Sequence, residues 1–171
     1  MKKALFIISG IILFLGLSFF IPGIFTKSVV IEQELTIKRP VKNVYFSLIN
    51  PLRMKLWVPG FKKIETMDGF IHGVGSRFLL TLDFHNKEYK VVEVIKVFEW
   101  KEELGICYKT GYFTVETNIL LSKEGKLTVL KIKHQVKGEN IFWRSAFFWF
   151  KPVLRNFYHD VFFDFKKMLE K

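Results

Sequence analysis

The chain has 171 residues, half of them apolar, with one cysteine and a formal charge of +11 from 27 basic and 16 acidic residues. That length fits one ordinary domain with a sizeable core, and the lone Cys107 excludes an internal disulfide and a cysteine-built metal site. The basic surplus points to anionic partners, but Lys and Arg are scattered rather than gathered in a stripe beside a stacking platform, which argues against nucleic acid.

After Met1-Lys2-Lys3, residues Ala4 to Phe25 carry no charge. A helix of that length reaches about 33 Å, enough for a bilayer. A cleaved signal peptide has a shorter apolar core and a small-residue exit, whereas the exit here, FIPGIFTKS, is bulky. The expectation is an uncleaved transmembrane helix, with 1–27 as a single-pass membrane anchor and 28–171 as one domain. Pro22-Gly23 is expected to end the helix. Lysines stand on both sides of the run, and their near balance is read as an inside amino terminus with the domain outside.

Val29 to Lys38 alternates and is β-branched, a first strand. Arg39-Pro40 ends it, and VKNVYFSLIN follows with Val41, Val44, Tyr45 and Leu48 on one helical face. Asn50-Pro51 breaks that helix, a second short helix reaches Trp57, and Pro59-Gly60 turns the chain. Strands are then expected over Phe61–Met67, from Ser76 to Phe84, over Tyr89–Phe98, Trp100–Tyr108, Tyr112–Ser122 and Leu127–Lys137. His85-Asn86-Lys87 and Glu124-Gly125 are the turns between them. Asn140 is placed to cap a terminal helical region that Lys151-Pro152 divides. From Val153 onward, apolar residues recur at i, i+3, i+4 and i+7, giving a long helix with one broad apolar face. Segregated elements of this kind indicate an α+β fold with an antiparallel sheet, whose apolar face only the last helix is long enough to cover.

The run VVIEQELTIKRPVKNVYFSLINP, then Trp57-Val58-Pro59, Gly73-Val74-Gly75-Ser76, Phe98-Glu99-Trp100, the hairpin pattern from Thr117 to Gly125 and the closing helix together resemble the START/Bet v1-like superfamily (SRPBCC, helix-grip fold). The likeness covers about residues 29–170 and is nearest the bacterial polyketide cyclase/dehydrase-like branch, including its membrane-anchored members. It implies a curved seven-stranded antiparallel sheet around the long C-terminal helix, two short helices after strand 1, and an apolar cavity between sheet and helix. Such folds host lipid carriers, hormone receptors and aromatase/cyclase enzymes, so the fold does not select a function.

Strand alternation places Glu93 on one inward face with Tyr89, Val91, Ile95 and Val97, Thr117 with Phe113, Val115, Ile119 and Leu121, and His134 with Leu130, Ile132 and Val136. A buried carboxylate near an imidazole is a conceivable acid/base set for a cyclisation or dehydration. Solvated strand ends, or a register slip of one residue, would put the same groups outside. The remaining histidines, His72, His85 and His159, fall in loops or on the polar helix side. No spacing for zinc ligands occurs, and no metal or cofactor is indicated. Twenty Phe, four Trp and five Tyr exceed ordinary packing needs. Trp57, Phe78, Leu80, Leu82, Trp100, Phe113, Ile132, Phe157, Val161 and Phe165 are the expected cavity lining. Phe142, Trp143, Phe147, Phe148 and Trp149, with Arg144 and Lys151 beside them, are expected to dip into the membrane interface or to lid the cavity. Three functions follow from these residues: tethered binding of a hydrophobic small molecule or lipid, a cyclase/dehydratase-type enzyme, and a ligand-free interaction domain.

Overall fold

The computed structural model describes the backbone of residues 2–70 and 73–171, and the side chains of these residues apart from 2–6, 8, 12 and 15. His72 therefore lies outside the described residues. Helix α1 (Lys2–Phe25) leads into strand β1 (Ser28–Ile37) and two short helices, α2 (Val41–Ile49) and α3 (Pro51–Met54). Strands β2 (Phe61–Asp68), β3 (Arg77–Phe84), β4 (Lys87–Glu99), β5 (Glu103–Lys109), β6 (Phe113–Glu124) and β7 (Leu127–Gly138) follow, then α4 (Ile141–Trp149) and α5 (Lys151–Glu170).

The strands form one seven-stranded sheet in the order β1-β7-β6-β5-β4-β3-β2, antiparallel at every pairing. The meander from β2 to β7 needs only tight turns. His85 and Asn86 supply one with φ of 54° and 61°, the left-handed pair that suits a two-residue hairpin loop. Helices α2 and α3 carry the chain from the end of β1 to the opposite sheet edge. Asn50 caps α3 through Leu52 N–H at 2.9 Å, and Asn140 caps α4 through Trp143 N–H at 3.0 Å. Pro152 sits in the first turn of α5, where its missing N–H costs nothing.

Helix α5 lies along one face of the sheet. Toward its carboxyl end Val161, Phe162, Phe165 and Leu169 pack against α2 and the strands to make the main core. Near the start of β1 a second cluster joins Val29, Ile31, Val115 and Val136 to Phe147 of α4.

Three local expectations are corrected. Trp100 is not in a strand; it lies in the β4–β5 turn, where Lys101 takes φ 67°, and β5 begins only at Glu103. Val97 does not share the inward face of Glu93. A bulge between Ile95 and Val97 shifts the register, so Phe98 opposite Leu104 turns inward instead. Pro22-Gly23 does not end α1, which runs on to Phe25, with Thr26 N–H bonded to Pro22 O at 2.7 Å.

What holds that last turn of α1 is α4. Gly23 N–H donates to Ser145 Oγ at 3.1 Å, Ser145 Oγ–H donates to Phe20 O at 3.3 Å, and Trp149 Nε1–H donates to Phe19 O at 3.2 Å. These side chains occupy helix backbone groups beside Pro22, which lacks the N–H that would continue the ladder. A Cβ on Gly23 would overlap Ser145 Oγ and the Ile141 carbonyl, so only glycine lets the two helices come this close. Among the described residues, no helix is long and apolar enough to cross a membrane. The described part of α1 nonetheless leaves Phe14, Leu17, Ile21, Ile24 and Phe25 exposed.

Candidate functional site

Between the sheet, the α2–α3 segment and the amino-terminal half of α5 lies a cavity of ≈ 570 Å³. Its walls are mainly apolar because the inward positions of β3 to β6 are. Of the aromatic and aliphatic residues expected there, Trp57, Phe78, Leu80, Leu82, Phe113, Phe157 and Val161 line it. Trp100, Ile132 and Phe165 do not. Trp100 is half exposed in its turn, edge-on to Tyr45 at 4.9 Å. Ile132 and Phe165 do point inward, but at the level where α2 fills the space, so they belong to the solid core.

Glu93, Thr117 and His134 are all buried and all line the cavity, one each on β4, β6 and β7. Thr117 and His134 face each other across the β6–β7 pairing, with Oγ1 and Nδ1 2.9 Å apart. The His134 ring stacks on Tyr158 of α5, centroids 3.9 Å apart and planes 15° from parallel. Glu93 faces Tyr108 across the β4–β5 pairing and accepts a hydrogen bond from its hydroxyl. Glu93 and His134 are not a pair. Three strand spacings separate β4 from β7, about 14 Å along the sheet. A direct proton exchange between them is therefore not what this geometry provides.

Burial governs the electrostatics. It pushes the Glu93 carboxyl up to about 7, against a smaller downward effect of the Tyr108 hydrogen bond. It pushes His134 down to about 4, so the imidazole is neutral near pH 7. Burial also raises the Tyr108 phenol well above its ordinary value, with the charges of Glu93 and Tyr158 adding to the effect, and takes Tyr158 to about 12. Among the described residues, three polar atoms of the lining have no hydrogen-bond partner: Glu93 Oε2, His134 Nε2 and Trp57 Nε1. Buried polar groups are ordinarily paired, so each of these demands an explanation.

Tyr108 and Tyr158 were not singled out from the sequence. Their signal was present: Leu104, Ile106 and Tyr108 alternate in β5, and Tyr158 shares the apolar face of α5 with Phe157. Cys107 is buried on β5, and burial raises its thiol, which makes it a poor nucleophile. His85 occupies the β3–β4 turn and His159 the exposed side of α5 beside Asp160. Among the described residues, no cluster of three or more His, Cys, Asp or Glu could hold a metal ion.

The aromatic residues of α4 divide between two surfaces. Phe142, Phe148 and Trp149 are exposed. Phe147 is buried, and Trp143 packs with it against Phe113, at centroid distances of 5.5 Å for Phe147 and 6.4 Å for Trp143. Positions 143 and 147 stand one turn apart on the side of α4 that faces the sheet. Phe142 meets Phe19 of α1 at 5.9 Å.

No family model matches the chain, and no curated protein matches it. Solved structures do. Ara h 8.0201 is 14% identical with a TM-score of 0.65, covering 83% of this chain and 97% of the other. The protein of unknown function SA2116 from Staphylococcus aureus is 13% identical with a TM-score of 0.66, covering 85% of this chain and 95% of its own. The di-domain ARO/CYC BexL is 11% identical with a TM-score of 0.63, and the match takes in 85% of this chain but 51% of BexL. At these identities the likeness shows the fold: a Bet v1-like helix-grip, with seven antiparallel strands and a long carboxy-terminal helix.

Proposed function

We propose that this chain binds a hydrophobic small molecule or lipid in the cavity between sheet and α5, and holds it at a membrane. The observation that carries the reading is the ≈ 570 Å³ cavity with its mainly apolar walls, a size within the range of small-molecule sites. Close packing is the rule in protein interiors, so a hollow of this volume is room for an occupant. The tether is argued from α1. Its sequence is uncharged from Ala4 to Phe25, and the exposed aromatics of α4 (Phe142, Phe148 and Trp149) lie beside its last turns. Arg144 and Lys151 flank that patch and suit anionic headgroups. In this reading 1–27 is a single-pass anchor and the domain lies on the extracytoplasmic side. Purification of the full chain from membranes, extraction into solvent and mass spectrometry test the cavity. An apolar molecule recovered in near one-to-one ratio is the expected result; a protein with nothing extractable would overturn it.

A cyclase/dehydratase-type enzyme is the second reading. It is favoured by a carboxyl lifted to about 7 inside an apolar chamber, and by the likeness to an ARO/CYC protein. Against it stands the missing partner, since His134 is two strands beyond Tyr108. Loss of turnover on Glu93→Gln, with binding intact, would promote this reading over the first.

A further inference from the structure

Resting on that cavity reading, we propose that the occupant carries a hydroxyl group, and that Glu93 Oε2 is the atom that reads it. Glu93 is 5% exposed, its other oxygen takes the Tyr108 hydroxyl, and Oε2 is left without a partner while lining the hollow. An unpaired buried carboxyl oxygen is costly, and the cost disappears when a ligand supplies the missing bond.

The class of group follows from what Oε2 requires. As a carboxylate oxygen it needs a donor. As a protonated acid it offers a donor and needs an acceptor. A hydroxyl serves both states because it donates and accepts. A ketone or ester serves only the protonated acid, and an ammonium only the carboxylate. The same reasoning applies to His134, three strands away on the same sheet. Thr117 Oγ1 occupies Nδ1, and the unpartnered Nε2 donates or accepts according to the tautomer. Trp57 Nε1–H is a third unpartnered atom, a donor only. With Glu93 and His134 about 14 Å apart along the sheet, one polar group cannot satisfy both. The ligand is therefore an apolar body with a hydroxyl toward β4 and β5, long enough to present a second hydrogen-bonding group toward β7.

Three probes of one skeleton test this: pyrene, 1-pyrenemethanol and 1-pyrenemethylamine. Each is titrated into the full-length protein at a fixed detergent concentration, and binding is read by energy transfer from tryptophan to pyrene. The wild type is expected to bind the alcohol about tenfold more tightly than pyrene, the worth of one hydrogen bond to a charged or buried group. Glu93→Met, close in shape and apolar, is expected to abolish that preference, so that the alcohol and pyrene bind alike. Equal binding of alcohol and hydrocarbon by the wild type overturns the hydroxyl inference while the cavity reading stands. A preference for the amine over the alcohol overturns it in favour of an ion pair. If no probe transfers energy, the cavity reading falls as well. The wild-type comparison decides the matter even if the variant does not fold.

Discussion

Along α5, Phe165 and Leu169 meet a sheet already covered by α2, whereas Phe157 borders a void and Tyr158 beside it stacks on His134 at the edge of that void. Apolar side chains predominate at both levels, although the buried polar groups Glu93, Thr117 and His134 all stand at the hollow one. The difference is a third layer. Val44 and Tyr45 of α2 plug one half of the space, and at the other half α2 and α3 form part of the cavity wall through Phe46, Leu48, Ile49 and Met54. A hollow in this fold is thus made by where a short helix is laid, while the strands stay regular.

The sharpest way to break this contrast is to empty the solid half. Phe165→Ala is expected to cost about 3–5 kcal/mol, the range for a large core aromatic, because Phe165 is fully buried and touches Trp57 and Phe162. Phe78→Ala on the wall of the hollow half is expected to cost about 1 kcal/mol, since one side of that ring faces no protein atoms. Denaturant unfolding of both variants measures the difference; equal losses would mean the hollow is collapsed in solution.

Titration sharpens the contrast next. Glu93 is raised from 4.5 to about 7 in the folded state, so its protonated form contributes stability that is complete below pH 4.5 and lost as pH rises through 7. His134 is lowered from 6.5 to about 4, so it contributes stability that is present above 6.5 and lost as pH falls through 4. Each is worth about 3 kcal/mol at its limit, and between pH 4.5 and 6.5 the two slopes oppose. Glu93→Gln is expected to leave stability rising across pH 4 to 6.5. His134→Phe is expected to leave it falling across pH 4.5 to 7. Denaturation midpoints measured against pH test both, and parallel curves for the two variants would contradict the assignment.

The smallest effect on the domain is expected from Gly23→Val. The new side chain must push α1 off Ser145, yet neither half of the α5 interface touches this seam. The unfolding midpoint of the domain should move little, while proteolytic cleavage between Thr26 and Ser28 should quicken several-fold. A large loss of stability would show that α1 is part of the core.

Much of this arrangement was legible in the residues. Alternation in β4, β6 and β7 placed Glu93, Thr117 and His134 on the inward face, and the helical period of the last segment identified its apolar side. What alternation reports is a direction. Ile132 and Phe165 point inward as surely as Phe113 does, and only the position of α2 decides which of them meets protein and which meets space. The bulge at Ile95–Val97 exchanged Val97 for Phe98, and the glycine that accompanies it, Gly105, stands on the partner strand opposite Val97, where the β4 sequence alone does not show it. Tyr108 escaped notice because its importance lies in the β4–β5 register, where it stands opposite Glu93, and no single strand reveals its neighbour. The division of α4 was hidden by composition. When nearly every residue of a helix is aromatic or aliphatic, the pattern no longer says which side is covered.

The contact of Gly23 with Ser145 bears on how the molecule would stand at a bilayer. A leader joined by a loose linker would let the domain tumble, and the direction in which its chamber faced would be left to chance. Here the last turns of α1 are bolted to α4 by three hydrogen bonds. A helix so fixed is a strut rather than a leash: if it is embedded, its tilt dictates the attitude of the whole domain. Orientation toward the lipid would then be inherited from packing, and one added methyl group at residue 23 would be enough to set the domain adrift.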